Sequence, residues 1–578
     1  MPAISRGSET RPEALAAPVS PPLRIARPSA IGEPWRANPF HRMRLSETAP
    51  DRIETWGNDP RVGDAQRGRE IGKGVWRIAA ERIAGDHALP WRAAHPSRHF
   101  SARLHAFAWL GDLAAVGPSA HARIAELLDA WVEEYGAWDD LAWDPELTAE
   151  RLFAWLCWGR PAFESGDSTR RRALLRCAAR QARLLLISQN ELSERHLGAI
   201  KAGAALVLAG AAGFPEAERL IEQGEEMLTE ACAKQFLPDG GHLSRSPEAL
   251  TEAFSDLIAA HHALSARAET SPIIHDAIPK LANMVRMLRL GDGGLGCFHG
   301  GSEGSPASID AALSRAPGEP RVFQFATHSA YQRLEAGPLR ILFDVGGAPP
   351  LSFSERAHAG ALAFEISSER ERLIVNVGAA RELEPLGRFA ARATNGHSAL
   401  IVEDALSAVL EEQRRGKAPA RLIGPHLDDV RRSADESGVT LQGRHDGYRA
   451  KFGLLHRRYL FADPEGRNLR GIDELIRPAK LKTPALKRAI AFVARFHLHP
   501  DVRVRLIEHQ MALLETRAGQ RWRLRTDAEH IAIEPSIYWG GRAVPRDSVQ
   551  IVLSGVADPM GHGLGPPNRI RWALTRAN

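Results

Sequence analysis

The sequence contains few cysteines and no long apolar run. Its four cysteines, Cys157, Cys177, Cys232 and Cys297, show no C-x-x-C spacing among 578 residues, which argues against a disulfide framework or a cysteine-rich zinc site. We expect them to be small buried hydrophobic residues. The longest apolar candidate, at 202–214, is much shorter than the roughly 20 residues that a membrane span requires, so a transmembrane protein is excluded.

Lysine is also scarce. Of the 75 basic residues only 9 are lysine and 66 are arginine, and the net charge is +5. Because a guanidinium group binds carboxylates and phosphates in a bidentate manner, one interpretation of the excess is an acidic polymer as ligand. The alternative is that the arginines lie on solvated faces and pair with the 70 acidic residues. Since there is no long basic run, localised basic stripe or nucleic-acid-binding motif, we expect no nucleic-acid partner.

The first 45 residues are predicted to be a disordered tail. Proline, alanine, serine and arginine dominate this segment, and it contains no continuous apolar stretch. No cleavable secretory signal is visible, which makes the cytoplasm the location expected from the N-terminus alone. An incorrectly assigned start codon would hide such a signal.

A change in periodicity divides the rest of the chain. From about residue 52 to 316, apolar residues recur at intervals of three and four, which predicts helices separated by short Gly/Pro turns. Beyond about residue 320, short strand-like runs are typical of an antiparallel β-sandwich. We therefore predict an α+β multidomain protein with a helical domain at 46–318 and a β-sandwich at 319–578. The nine predicted strand runs are 339–345, 361–367, 373–377, 399–402, 454–461, 502–508, 512–516, 531–534 and 549–553.

Several functional groups occur together at 239–248, near this division. The sequence D-G-G-H-L-S-R-S-P-E places His242, Arg245 and Glu248 at the start of a new helix, with Ser246 as the predicted N-cap followed by proline. The free N–H groups and the dipole of such a helix favour an anion. An ordinary capped turn with a surface histidine is the alternative, and spacing alone leaves both interpretations open.

The same segment resembles the D-G-G-H-x-x-R-S-P signature of heparinase II/III-like polysaccharide lyases. Further matches follow in the same order between about residue 90 and residue 578, among them R-H-L at 195–197, A-H-A-G-A at 357–361 and G-H-S at 396–398. The resemblance implies an N-terminal incomplete (α/α) toroid followed by an antiparallel β-sandwich, with an acidic glycan in the cleft between them.

The resemblance also implies a reaction, the β-elimination of a uronate-containing polysaccharide. The enolate-like charge that develops needs a cation, an amide or a metal near the carboxylate, and the base needs a pKa near the working pH. The alternative for Tyr331, one of five tyrosines, is a packed aromatic at a strand start. The catalytic candidates are His242, His196, Arg245 and Tyr331, and the substrate-binding candidates are Arg195, Glu248, Arg356 and Trp109.

Other positions depart from the lyase pattern. After S-P, characterised lyases usually carry a Tyr-His pair whose tyrosine is the acid or base, whereas this chain has Ala249 and Leu250. Arg195 stands where the family has asparagine before His-Leu. In the family's H-x-H-x-D pattern the first histidine is catalytic, and Arg356 occupies that position here.

Some relatives bind zinc through the second histidine of that pattern, an aspartate one strand later and a histidine from the next strand. These positions correspond to His358, Asn376 and His397. A neutral amide is a poor replacement for a carboxylate, so the affinity for zinc should fall. The possibilities are therefore one structural zinc or a metal-free pair of histidines on adjacent strands.

Two functions remain open at this stage. The first is a lyase that cleaves an acidic polysaccharide, with His242 or His196 as the base and arginines holding the uronate. The second is a catalytically silent descendant that binds an acidic glycan during exopolysaccharide or cell-envelope metabolism. Relatives usually work in the periplasm or cell envelope, which the resemblance implies here too, although the N-terminus favours the cytoplasm.

Overall fold

The computed structural model describes residues 49–577, apart from 79–80, 85–88, 165–167, 194–195, 380–384, 412–420, 479–487, 509, 542–544 and 559–567. The predicted disordered tail at 1–45 lies outside the described residues, and so does Arg195.

Helices form most of the first half of the chain, as the three- and four-residue periodicity predicts. A short hairpin of strands β1 (Val75–Ile78) and β2 (Glu81–Ala84) interrupts them. The helices described in this part are α1 Ala65–Gly72, α2 Arg98–His105, α3 Leu110–Ala114, α4 His121–Tyr135, α5 Pro145–Trp158, α6 Arg160–Glu164, α7 Ser168–Ile187, α8 Gln189–Ser193, α9 Leu197–Ala211, α10 Ala217–Gln235, α11 Pro247–Ala266, α12 Pro272–Met287 and α13 Pro306–Ser314.

Helix α9 is central to this helical part. It packs against α5, α10 and α11, and nearly all of its side chains are buried. Its small residues permit a close approach to α10, because a Cβ added to Gly203 would lie 2.8 Å from Leu228 Cγ, and one added to Gly224 would lie 2.8 Å from the Gly203 carbonyl oxygen. Most of the apolar run at 202–214 therefore belongs to a core helix, which ends at Ala211.

Strands form most of the second half. Two short helices, α14 (Pro385–Arg392) and α15 (Arg449–Phe452), lie between them. The strands are β3 Phe325–Ala326, β4 Tyr331–Ala336, β5 Leu339–Asp344, β6 Phe364–Ser368, β7 Glu371–Val375, β8 Leu400–Val402, β9 Val409–Leu410, β10 Leu422–Ile423, β11 Leu427–Asp435, β12 Gly438–His445, β13 Leu455–Ala462, β14 Asn468–Ile476, β15 Ile490–Leu498, β16 Arg503–Glu508, β17 Met511–Glu515, β18 Arg521–Thr526, β19 His530–Tyr538, β20 Arg546–Ala557 and β21 Arg569–Ala577.

Most of these strands belong to two antiparallel sheets. The larger sheet has the order β19-β20-β15-β7-β6-β5-β4-β3, with β8 paired to β15, and the other has the order β11-β12-β13-β14-β21-β18-β17-β16. Their inner faces share one apolar core, in which Phe364 of the first sheet stacks on Trp572 of the second with ring centroids 5.7 Å apart. The β-sandwich is therefore confirmed, and each of the nine predicted strand runs overlaps a strand.

The helical part ends with α13, and the first strand of the sandwich begins at Phe325. The predicted boundary between residues 318 and 319 lies in the segment that connects them, and the exact division into domains stays a prediction. Within the described residues, no helix combines the length and the apolarity needed to cross a membrane.

Candidate functional site

The segment that begins at Asp239 joins the helical part to the sandwich. The Asp239 carboxylate accepts hydrogen bonds from the backbone N–H of His328 (2.9 Å) and of Ser329 (2.7 Å), and from the Ser329 hydroxyl (2.6 Å). A Cβ added to Gly241 would lie 1.8 Å from the Ser329 hydroxyl oxygen, so only glycine fits there. The D-G-G part of the signature thus has a structural explanation at this junction.

Arg245 extends the same connection. Its side chain is 6% exposed and forms a buried ion pair with Asp344 at the end of β5. It also donates to the carbonyls of Ser329 (3.0 Å) and Gly347 (2.7 Å). All of these partners belong to the sandwich, and the Asp344 carboxylate raises the pKa of Arg245 against the opposing effect of burial. The arrangement favours a structural role, and the predicted contact with a substrate carboxylate stays a prediction.

Tyr331 is packed beside Arg245 at the start of β4. Its side chain is 1% exposed, its ring lies 5.0 Å from the Arg245 guanidinium carbon, and its hydroxyl donates to the Arg245 carbonyl (2.5 Å). Burial raises the pKa of Tyr331 well above its usual value, so the phenol stays protonated. These surroundings fit the packed-aromatic alternative.

The predicted helix start is confirmed: Ser246 caps α11 by accepting from the Ala249 N–H (3.5 Å), and proline follows it. Glu248, in the first turn, accepts a hydrogen bond from the Ser302 N–H (2.8 Å) and so holds the 300–302 loop. Its predicted role in substrate binding stays a prediction.

His242 and His196 are connected through Gln235. The Gln235 side chain donates to the His196 carbonyl (2.8 Å), and its amide oxygen accepts from His242 Nε2 (3.2 Å). Ser244 contacts His242 Nδ1 through both its N–H (3.1 Å) and its hydroxyl (2.7 Å). Burial, and to a smaller extent His196, lowers the pKa of His242 to about 3. His242 is therefore a neutral imidazole whose two ring nitrogens are both hydrogen-bonded.

A loop of the sandwich covers both histidines. The Phe353 ring lies between them, with its centroid 3.9 Å from that of His196 and 5.7 Å from that of His242. The preceding Ser352 carbonyl accepts a hydrogen bond from His196 Nε2 (2.7 Å). Leu351 is 49% exposed, so this loop passes from the solvent-exposed surface to the two histidines. A sugar ring and Phe353 cannot occupy the same space beside these imidazoles.

A second group of buried histidines lies close to Asp344. His299 Nδ1 accepts from the His358 N–H (3.4 Å), and His299 Nε2 donates to Asp344 (3.0 Å). His397 Nδ1 donates to the Ala393 carbonyl (2.9 Å), so His397 Nε2 is the acceptor for His358 Nδ1 at 3.1 Å. Burial lowers the pKa of His397 to about 4. The fold thus brings His358 and His397 together as a hydrogen-bonded pair.

The third predicted zinc ligand does not fit a metal site. Asn376 Oδ1 accepts from the Ser398 N–H (3.0 Å), and its amide nitrogen donates to the Cys297 carbonyl (3.3 Å). Within the described part of the chain, no group of three His, Cys, Asp or Glu side chains is arranged to hold a metal. These side chains are therefore a poor fit for the zinc that the resemblance implies, and its presence stays untested.

Because only the imidazoles of His358 and His397 meet at the predicted zinc site, we expect removal of metal to leave the stability of the protein unchanged. Structural zinc usually has four protein ligands, and loss of such an ion unfolds its site. We expect elemental analysis of protein purified without chelators to find well below one zinc per chain, and EDTA to leave the thermal unfolding temperature unchanged. One zinc per chain together with a lower unfolding temperature in EDTA would contradict this expectation.

Two further predicted substrate-binding residues, Trp109 and Arg356, differ in their exposure to solvent. Trp109 is 3% exposed, donates from Nε1 to the Leu104 carbonyl (2.9 Å) and packs against Phe107 and Trp76. Its place in the helical core leaves no ring face for a sugar. Arg356 is exposed and remains able to meet an anion. Both substrate roles stay predictions, as does that of Arg195.

Three contributors escaped the sequence analysis: Phe353, His299 and Asp344. The sequence offers a signal only for His299, because it precedes the glycine pair Gly300-Gly301, and Gly300 has a φ of 71°. Phe353 is an ordinary aromatic residue in a loop, and only the fold places it on the cleft histidines.

Comparison with known proteins agrees with this architecture. Residues 318–573 match the family model described as heparinase II/III-like, C-terminal. FtsZ-localized protein C of Caulobacter vibrioides is 34% identical over 571 residues, which are 96% of each chain. The crystal structure of heparinase III matches with a TM-score of 0.66 at 13% identity, over 93% of this chain and 88% of that one. A heparan sulfate lyase HepC mutant from Pedobacter heparinus matches with a TM-score of 0.59 at 13% identity, over 93% and 87%.

The matches to solved structures confirm the predicted fold, an incomplete (α/α) toroid followed by an antiparallel β-sandwich. At this level of identity they show the fold alone. With the family model and the long match to the Caulobacter protein, they establish that the chain belongs to the heparinase II/III-like family.

Proposed function

We propose that this chain is a catalytically silent member of the heparinase II/III-like family that localises with FtsZ. The observation that carries the first part is the Phe353 ring between His196 and His242. The second part rests on the long match to a protein that is named for its localisation with FtsZ.

The state of His242 supports the absence of lyase chemistry. A general base works best when its pKa is near the working pH, and that of His242 is lowered to about 3. At neutral pH such an imidazole has little driving force to remove a proton next to a carboxylate. The Tyr-His pair of the family, whose tyrosine serves as acid or base, corresponds to Ala249 and Leu250, so no second group compensates at these positions.

The presence of the signature residues is compatible with a lack of lyase activity. Asp239, Gly241 and Arg245 all contact the sandwich, and these contacts are needed for the two parts to pack, whatever happens in the cleft. Retention of D-G-G-H-x-x-R-S-P is therefore no argument for activity in this chain.

The lyase is the second candidate, because Arg356 is exposed and its guanidinium can pair with a uronate carboxylate, although it replaces the family's catalytic histidine. The two are separated by the ultraviolet absorbance of unsaturated uronate, measured with heparan sulfate, heparin, alginate and acidic bacterial exopolysaccharides. We expect no absorbing product in conditions where heparinase III, as positive control, digests heparan sulfate. Product that accumulates with the natural chain and disappears in His242→Ala would establish the lyase and refute silence.

Localisation is tested separately. A fluorescent fusion of the full chain, expressed in bacteria together with FtsZ from the same source, is expected to concentrate where FtsZ assembles and to disperse when FtsZ is depleted. The free fluorescent protein is the control. A fusion that stays dispersed beside assembled FtsZ, or that is exported, would refute this part of the proposal without affecting the result of the uronate assay.

A further inference from the structure

Exposed arginines cover the outer face of the eight-stranded sheet. Strands β16, β18 and β21 each contribute two of these arginines. In each strand the arginines alternate with residues whose side chains point to the opposite face of the sheet. We refer to the following six residues as the arginine face: Arg503, Arg505, Arg523, Arg525, Arg569 and Arg571.

The strand registers place these side chains on one surface. Arg505 lies opposite Leu513 of β17, which lies opposite Arg523 of β18, and residues directly opposite each other share a face. The same alternation buries Trp522 and Leu524 in the sandwich core. The arginine face is therefore the outside of the sandwich.

The charge of this face is only partly neutralised from within the protein, because Glu515 lies opposite Arg503 and Glu474 lies opposite Arg569 in the strand registers. Its neighbours Arg521 and Arg457 form ion pairs with Glu515 (3.3 Å) and Glu474 (2.7 Å). Within the described residues, none of the six side chains of the arginine face has a carboxylate within 4.0 Å. Six solvent-exposed guanidinium groups in one patch produce a positive potential that attracts an anionic partner.

An apolar hollow adjoins the arginine face. It has a volume of about 330 Å³, is open to solvent and is lined by Thr440, Tyr459, Phe461, Arg470 and Ile472. Ile472 lies opposite Arg571, so the hollow and the arginine face are continuous on one surface. The guanidinium carbon of Arg470 lies 5.8 Å from the Phe461 ring centroid, on the rim of the hollow.

We propose that this surface docks an acidic segment of a partner protein, with one apolar or aromatic side chain of that segment seated in the hollow. Interfaces between proteins are enriched in arginine, tyrosine and phenylalanine and depleted in lysine, and the strands of this sheet contain no lysine. Carboxylates are the partners that a guanidinium fork binds in bidentate geometry. The combination of an apolar hollow with a dense array of arginines selects an acidic peptide that carries an anchor side chain.

Other anionic partners fit less well. A single-stranded nucleic acid needs exposed ring faces for stacking, whereas Tyr459 and Phe461 are half-buried and have arginine side chains over their rings. An anionic bilayer uses charge together with apolar side chains that protrude and insert, whereas Tyr459, Phe461 and Ile472 are half-buried and line a hollow. Both partners are outcomes of the test.

The probe is a random copolymer of glutamate and tyrosine, labelled with a fluorophore and titrated with the purified full chain at low and at physiological ionic strength. We expect saturable binding that weakens with salt. Arg523→Glu combined with Arg525→Glu should weaken it at least tenfold. A control double reversal on the exposed surface of α7, Arg171→Glu with Arg172→Glu, changes net charge equally and should leave binding within twofold. Circular dichroism verifies the fold of each variant.

The hollow is tested with Phe461→Ala and with polyglutamate, which has no aromatic side chain. Both should give weaker binding than the natural chain with the copolymer. Equal binding of the two double reversals, equal binding of polyglutamate and the copolymer, or tighter binding of oligothymidylate or of phosphatidylglycerol vesicles would overturn the proposal. The measurement uses the purified chain alone, so its result is independent of localisation with FtsZ.

Discussion

Replacement of Arg245 by methionine is expected to lower the free energy of unfolding by about 3–5 kcal/mol, because it leaves the Asp344 carboxylate buried without its cation. Both side chains are nearly inaccessible, 6% and 3% exposed, so water cannot replace the lost partner. Methionine keeps most of the apolar stem, which limits the contribution of a cavity. Urea denaturation at pH 7.5, followed by circular dichroism, measures the change.

A double variant separates the unpaired charge from lost packing. Arg245→Met with Asp344→Leu removes both charges, so more than half of the stability lost in the single variant should return. The control is Arg444→Met, which breaks the 2.7 Å ion pair with Asp428 on the surface and should cost less than about 1 kcal/mol. If Arg245→Met is no more damaging than Arg444→Met, the signature segment does not hold the two parts together as described.

The signature segment and the residues that it contacts lie far apart in the sequence. The sequence identified 239–248 through its residues, but the partners of Asp239 and Arg245 are 84 to 102 positions away along the chain. Neither Ser329 nor Gly347 carries a pattern that points to the signature. The residues of the site could thus be predicted, whereas their role at the junction depends on long-range packing that only the fold supplies.

The fold was predictable to a larger extent because hydrophobic periodicity is local. The helical and β parts follow directly from it, and the nine predicted strand runs overlap strands. Several strands escaped the nine predicted runs, among them β4, β12, β14 and β15. Strands β18 and β21 escaped because the prediction relied on apolar runs, while R-W-R-L-R-T and R-I-R-W-A-L-T-R-A alternate arginine with apolar residues. That alternation is the period of a strand with one solvated face. Because of this alternation, the arginine face could not be recognised from the sequence, in which its residues are scattered and form no localised basic stripe.

The strand order explains why this stripe is invisible in the sequence. Arg505, Arg523 and Arg571 belong to three strands, and only the pairing β14-β21-β18-β17-β16 brings them onto one surface. The expectation that the arginines are paired with acidic residues is met by Arg444 and Arg457, on the same sheet, but not by the six residues of the arginine face.

Mild acid is expected to unfold the protein, because four buried histidines are held neutral in the folded state. Burial is the main cause, and it lowers the pKa to about 3 for His105, His242 and His497 and to about 4 for His397. An unfolded histidine has a pKa near 6.5, so between these values the unfolded chain binds more protons than the folded chain. Stability is therefore fully present above about pH 6.5 and falls as the pH decreases.

The loss of stability at a given pH follows from the distance between that pH and the unfolded pKa of histidine. At pH 5, which is about 1.5 units below the unfolded pKa and above all four folded values, each histidine costs about 2 kcal/mol, or about 8 kcal/mol together. Burial raises the pKa of Glu365 to about 7, so the folded chain binds that proton before the unfolded chain does, and this offsets about 2–3 kcal/mol of the loss at pH 5. A typical net stability is about 5–15 kcal/mol, so the loss is comparable with the total. Asp344 acts in another window: its pKa is lowered by Arg245 and His299 against the effect of burial, so its contribution is lost only as the pH falls below about 4.

Urea denaturation at intervals between pH 7.5 and 5 tests this directly, and we expect a steep fall in the free energy of unfolding below pH 6.5. His497→Gln keeps a polar side chain beside Ser536 and the Asn395 carbonyl and removes one titration, so the slope should decrease by about 1.4 kcal/mol per pH unit even if the variant is less stable at pH 7.5. His530→Gln alters an exposed ring and serves as the matched control. A nearly constant free energy of unfolding from pH 7.5 to 5 would mean that these imidazoles are protonated in the folded protein, and the neutral hydrogen-bond networks assigned to His242 and His397 would then have to be revised.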